Sequence, residues 1–132
     1  LVGSEMCIRD RPNINAALGC AQLENLDRYV ADKRETAARY ADFFKDKEDI
    51  IFFTEPVDCK SNYWLNAVIL KDKVTQLEFL EYTNDHGVMT RPVWELMNYL
   101  PMFEHCETDG LTNTKWLAGR IVNIPSSVRL EK

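Results

Sequence analysis

Tyr63-Trp64-Leu65-Asn66-Ala67-Val68-Ile69-Leu70 decides the fold: only Asn66 in this run of eight is polar. A short apolar run rich in aromatic and β-branched residues reads as a strand buried over most of its length. The polar pair Ser61-Asn62 ahead of it reads as a turn. Downstream, Asp72 is placed to cap a helix from Val74 to Asp85, with Val74, Leu77 and Leu80 facing inward. Gly87 suits its left-handed exit. Val88 to Trp94 then alternates as a second strand.

The same reading extends in both directions. Glu95 to Tyr99 forms a helical turn stopped by Pro101. Thr112 or Asn113 caps a short helix through Trp116, Leu117 and Arg120, and Ile121-Val122-Asn123-Ile124 is a last strand closed by Pro125. Upstream, Ile50-Ile51-Phe52-Phe53 is a short β-rich run. Before it, Asn13 to Lys47 has a helical period, with Glu24–Arg28 and Glu35–Arg39 as supporting ion pairs. Its second half carries large aromatics for a core: Tyr29, Tyr40, Phe43 and Phe44. Its first half is small: Ala16-Ala17-Leu18-Gly19-Cys20-Ala21. Small side chains allow close approach of another backbone, and Gly19 costs about 1 kcal/mol against alanine unless closeness offsets it. A continuous helix from 13 to 44 would be ~48 Å long, whereas a compact chain of this size is ~36 Å across. The helix is therefore expected to break near Asn25–Asp27 and to project its small-residue half. The order of elements is that of an α+β domain with helices on a small sheet.

Composition bounds the function. The chain has 132 residues, one domain's worth, with 16 Lys+Arg against 21 Asp+Glu and a net charge of −5. Coating of nucleic acid and polybasic membrane contact are both disfavoured. No apolar run approaches the ~20 residues of a membrane span, and residues 1–10 lack the pattern of a secretory leader. Cys7, Cys20, Cys59 and Cys106 include no Cys-x-x-Cys pair, and His86 and His105 sit in no metal-ligand pattern. Free thiols in a reducing cytoplasm, and no metal site, are the expectation.

No phosphate-binding glycine loop, serine-nucleophile elbow or zinc helix is present. The most suggestive stretch is Met89-Thr90-Arg91-Pro92-Val93-Trp94. Pro92 drives Arg91 into an extended conformation. Arg91 then offers a planar fork to phosphate or carboxylate oxygens, and Trp94 a flat face to a sugar or base. The competing reading is an exposed arginine beside a core tryptophan. Ser61-Asn62-Tyr63-Trp64 is either a pocket rim or a turn feeding a strand. Asn123-Ile124-Pro125-Ser126-Ser127 either brings hydroxyls to an anion or simply ends a strand.

Taken together, Pro12-Asn13-Ile14-Asn15-Ala16-Ala17-Leu18-Gly19-Cys20, Ser61-Asn62-Tyr63-Trp64-Leu65-Asn66, Gly87-Val88-Met89-Thr90-Arg91-Pro92-Val93-Trp94, Leu100-Pro101-Met102-Phe103 and Ile121-Val122-Asn123-Ile124-Pro125-Ser126-Ser127 resemble the C-terminal domain of the DegT/DnrJ/EryC1/StrS aminotransferases. The Arg-Pro-Val-Trp form is similar to the legionaminic-acid and perosamine-type subgroup. The resemblance implies the small domain of a fold-type I pyridoxal-phosphate transferase over residues 12–132. In that domain a long first helix packs on a small, mostly antiparallel sheet with two or three further helices. It also implies transfer of an amino group from glutamate to a nucleotide-linked 4-keto-6-deoxy sugar, in surface-polysaccharide or nonulosonate biosynthesis, by a cytoplasmic homodimer. Arg91, Trp94 and Tyr63 would bind substrate. The Schiff-base lysine and the aspartate paired with the cofactor nitrogen would lie in a large domain absent from this chain, leaving no catalytic residue here and the chain alone inactive. The small-residue face of residues 14–21 would meet that lobe or a second subunit. Residues 1–11 fall outside the resemblance and read as a non-native junction. The alternative from a different class is a non-catalytic α+β binding or dimerisation module, complete as it stands.

Overall fold

The computed structural model describes residues 12–129; the expected junction 1–11 lies outside the described residues. Two consecutive helices, α1 (Asn13–Glu24) and α2 (Leu26–Phe44), open the chain. The break falls at Asn25, within the interval expected. There the side-chain amide donates to the Ala21 carbonyl at 3.0 Å. The backbone N–H turns instead to Gln22 at 3.2 Å, so a side chain has taken the acceptor on which the helix would have continued. Arg28 donates to Asn25 Oδ1 at 3.4 Å rather than pairing with Glu24, whereas Arg39–Glu35 forms as expected at 2.8 Å. The helix ends at Phe44, short of Lys47.

Four strands follow in one sheet of order β1-β2-β4-β3, with every neighbouring pair antiparallel: β1 (Ile50–Phe52), β2 (Asn66–Leu70), β3 (Arg91–Pro92) and β4 (Ile121–Ile124). The remaining elements are α3 (Lys73–Asp85), a 3-10 turn at Met97–Tyr99 and α4 (Thr112–Ala118). Val68 and Val122 are directly opposite one another and fully buried. With Phe52, Leu70, Ile124 and Ala37 of α2 they form the core, against which Tyr40, Phe44, Phe79 and Leu80 pack. Helices α2 and α3 thus cover one face of the sheet. This is the α+β architecture read from the sequence. Among the described residues no helix is long and apolar enough to cross a membrane, and no group of three His, Cys, Asp or Glu is placed to hold a metal ion.

Several local readings need correction. β2 begins at Asn66, not Tyr63, because the Ser61 hydroxyl and the Asn62 side-chain oxygen accept the N–H groups of Tyr63 and Trp64, each at 3.0 Å, in place of a ladder. Val88–Trp94 contributes only Arg91–Pro92, since Pro92 has no N–H to give and sits on an edge strand. α3 starts as expected, with Asp72 accepting the Thr75 N–H at 2.9 Å, and leaves through Gly87 at φ +75°. Its buried residue, however, is Gln76, while Val74 and Leu77 are exposed. The Gln76 amide donates to the Ala118 and Ile121 carbonyls at 3.2 and 2.7 Å, a demand no aliphatic side chain meets. α4 is entered through Leu111 in the left-handed region (φ 55°), without the expected Thr112 or Asn113 cap. Phe43, assigned to the core, is exposed.

Candidate functional site

Asn123 on β4 alternates with the core residues Val122 and Ile124, so its side chain is on the face away from the helices. Arg91 is its cross-strand partner and shares that face. A cleft of about 510 Å³ opens here, where β2 begins and β4 ends. Arg91, Trp94, Trp64, Met89, Asn123 and Ser127 supply its principal side chains. Both indoles are largely exposed. Arg91 makes no ion pair among the described residues, and its recorded contact is with the Met89 sulfur at 3.7 Å. The cleft lining contains no carboxylate. An unpaired guanidinium between flat aromatic faces, with amide and hydroxyl groups nearby, is suited to a ligand carrying phosphate or carboxylate oxygens and a sugar.

Of the three expected substrate contacts, Arg91 and Trp94 therefore meet in one cleft and Tyr63 does not line it. Tyr63 is half-buried against the core, and its hydroxyl accepts the Glu55 N–H at 3.1 Å. With φ at 47° it turns the chain so that the neighbouring Trp64 enters the cleft. Of the two readings of residues 61–64, the structure combines both: a turn, with its last residue on the rim.

Arg91 is held from behind. Thr90 is buried, and its hydroxyl lies 2.6 Å from that of Thr83. Asn84 Nδ2 donates to the Thr90 hydroxyl at 3.0 Å and to its carbonyl at 3.1 Å. The opposite wall is fixed by Lys33, whose ammonium donates to the carbonyls of Trp64 and Ser126. The Ser126 hydroxyl accepts the Asn66 N–H and donates to the Ile124 carbonyl, each at 2.7 Å. It is thus spent on the fold, leaving Ser127 as the hydroxyl residue free for a ligand. Lys33 and Ser126 could not be found from the sequence, because a separation of 93 residues leaves no periodic signal. Cys20, Cys59 and Cys106 are free and exposed.

Comparison with known proteins supplies the family. The chain is 28% identical over 122 residues to the GDP-perosamine synthase of Vibrio cholerae, covering 86% of this chain and 32% of that protein. It is 28% identical over 92 residues to EpsN of Bacillus subtilis, covering 70% of this chain and 24% of that one. Its fold matches the aminotransferase TlmJ from Streptoalloteichus hindustanus with a TM-score of 0.79 at 21% identity, over 89% of this chain and 31% of that one. The chain spans a third or less of the length of these relatives. The sequence pattern of the DegT/DnrJ/EryC1/StrS aminotransferase family matches residues 8–132, nearly the whole chain, and the chain belongs to that family.

Proposed function

We propose that this chain is the C-terminal part of a pyridoxal-phosphate-dependent aminotransferase acting on a nucleotide-linked 4-keto-6-deoxy sugar, and that the Arg91 cleft forms one wall of its substrate site. The observation that carries the reading is the family match over residues 8–132. The unpaired Arg91 supports it, since a sugar nucleotide presents both phosphate and carbonyl oxygens to a guanidinium. Arg91 binds those oxygens, Trp94 and Trp64 flank the sugar, and Tyr63 contributes through the placement of Trp64.

The cofactor, when bound, supplies the electron sink for amino transfer. Holding it requires a lysine for its aldehyde and a carboxylate facing its ring nitrogen. The Arg91 cleft is lined by neither. The residues of that cleft therefore do not fit as the cofactor's holder, and on this reading the lobe that holds it lies outside this chain. On this reading the isolated chain is inactive. Glutamate as amino donor and a cytoplasmic homodimer belong to the same proposal. The exposed surface of α1, with Ile14 and Leu18 on one side and Leu23 on the other, all in water, is the surface that meets the missing lobe or a second subunit.

The test is Arg91→Ala in a protein that joins this chain to the large domain. The KM for the sugar nucleotide should rise at least about tenfold, the loss of one charge-assisted contact, with the cofactor's absorbance unchanged. Unaltered kinetics would remove Arg91 from the site. The binding-module alternative would instead require a chain whose upstream reading frame holds no large domain.

A further inference from the structure

Asn66, the first residue of β2, is 1% exposed, yet neither the oxygen nor the nitrogen of its side chain has a partner among the described residues. Its backbone N–H is committed to the Ser126 hydroxyl at 2.7 Å. Along β2 it alternates in step with Val68 and Leu70, both in the core, so its amide faces the helices and not the Arg91 cleft. No substrate or second chain reaches it there. Two buried amide atoms left unpaired have lost their hydration with nothing in exchange. Protein interiors meet that demand with an ordered water making about three hydrogen bonds.

The third group comes from α2. Lys33 stands four residues before Ala37, which is in the core, so the two share the inward stripe of that helix. Lys33 is half-buried, and its ammonium donates to the carbonyls of Trp64 and Ser126. Both acceptors flank Asn66: Trp64 precedes it by two residues, and Ser126 is bonded to its N–H. Two of the three ammonium protons are thereby used and one remains. Lys33 makes no ion pair among the described residues. One donor from the lysine, with one donor and one acceptor from the amide, calls for a small group that both accepts and donates. An anion would be repelled by Asn66 Oδ1 and a cation by the ammonium, whereas water suits all three.

We propose that Asn66 and Lys33 hold one internal water, which accepts from Lys33 Nζ and Asn66 Nδ2 and donates to Asn66 Oδ1, and that Lys33 is through this site the positioning residue for Trp64. The proposal does not depend on what the Arg91 cleft binds. The test is water-selective NMR on the ¹⁵N-labelled chain. The side-chain NH₂ of Asn66 should show an NOE to water with the sign of a molecule that tumbles with the protein. Asn66→Leu keeps the shape and expels the water, and should lower the Tm by several degrees. Lys33→Met keeps the stem and removes the ammonium. It should shift the Trp64 indole resonance, leave that of Trp116 in place, and quicken exchange of the Asn66 N–H about tenfold, the loss of about one hydrogen bond. Lys33→Arg, which retains the donors, should restore the Trp64 resonance. An Asn66→Leu variant at least as stable as the parent would show the amide to be truly unpartnered. That result, the absence of the water NOE in the parent, or a Trp64 indole unmoved by Lys33→Met or left displaced in Lys33→Arg, would each overturn the assignment.

Discussion

Arg34 and Glu55 meet through two parallel hydrogen bonds, Nη2 to Oε1 at 2.7 Å and Nη1 to Oε2 at 2.9 Å. The pair is also a knot in the chain. Glu55 Oε2 accepts the Ser61 N–H and Arg34 Nη1 donates to the Ser61 carbonyl, each at 2.6 Å. The guanidinium carbon lies 5.7 Å from the centre of the Tyr63 ring. Helix α2 thereby fixes the loop that delivers Trp64 to the cleft. The Arg34 hydrogen bonds, aided by the Ser61 N–H, hold the Glu55 carboxyl down at about 2, below its ordinary 4.5.

That depression sets a pH window. A carboxyl depressed in the folded state binds fewer protons there than in the unfolded chain, so its stabilisation is present above about pH 4.5 and is lost as the pH falls toward about 2. Glu55→Gln should lower the Tm by several degrees at neutral pH, and the deficit should shrink steadily across that window. Asp32 and Glu35, both lowered by Arg129, contribute to the acid limb of either protein and cancel in the difference. Thermal melts of both proteins from neutral to strongly acid pH decide it. A deficit as large in strong acid as at neutrality would mean that the charge of Glu55 is not what the mutation removes.

What could be read from the sequence was local chemistry. The Asp72 cap, the Gly87 exit and the break at Asn25 are each set by one side chain acting within a few residues, so the residue type alone announces them. Arg91 and Trp94 were legible for the same reason, because they stand in one stretch on either side of Pro92. The misreadings share a different cause. Hydrophobic periodicity put Val74 and Leu77 inward, but α3 faces the carbonyls of Ala118 and Ile121, to which the amide of Gln76 donates. Composition made Tyr63–Leu65 part of a strand, but Ser61 and Asn62 had already taken the N–H groups of Tyr63 and Trp64. Trp64 belongs to the cleft, rather than Tyr63, through a positive φ that nothing in the composition of an apolar run signals.

Behind Arg91 the hydrogens can be counted. The Thr83 hydroxyl has a single proton and lies 2.7 Å from the Phe79 carbonyl, which can only accept. Thr90 must then donate to Thr83, and its remaining lone pairs receive the Asn84 amide. The chain runs in one direction, from Asn84 through Thr90 and Thr83 to Phe79. Thr90→Val keeps the shape and removes the central link, at a cost of about 1–3 kcal/mol for polar groups left short of a partner in a buried place. Urea unfolding should report that loss, and hydrogen exchange should quicken at residues 88–91 before the rest of the sheet. A variant as stable as the parent, with unchanged exchange there, would show that packing alone sets the position of Arg91.

Helix α1 poses the converse case, an element with almost nothing behind it. None of its residues is buried, and Ile14 is 81% and Leu23 68% exposed. Open space surrounds Gly19 where a Cβ would stand. Twelve residues make a marginal helix in water when no face is packed, and a mid-helix glycine weakens it by about 1 kcal/mol. In the isolated chain the amides of residues 17–24 should exchange nearly as fast as those of an unfolded peptide, while β2 and β4 stay protected. Gly19→Ala, which meets no neighbour, should raise helicity by circular dichroism and slow that exchange severalfold. Joining the chain to a large domain should slow it much further, because exposed apolar side chains of α1 would then be covered at about 25 cal/mol per Å². Strong protection of α1 in a dilute, monomeric chain would contradict this, since the helix would then be holding itself together and its exposed leucines would need no partner.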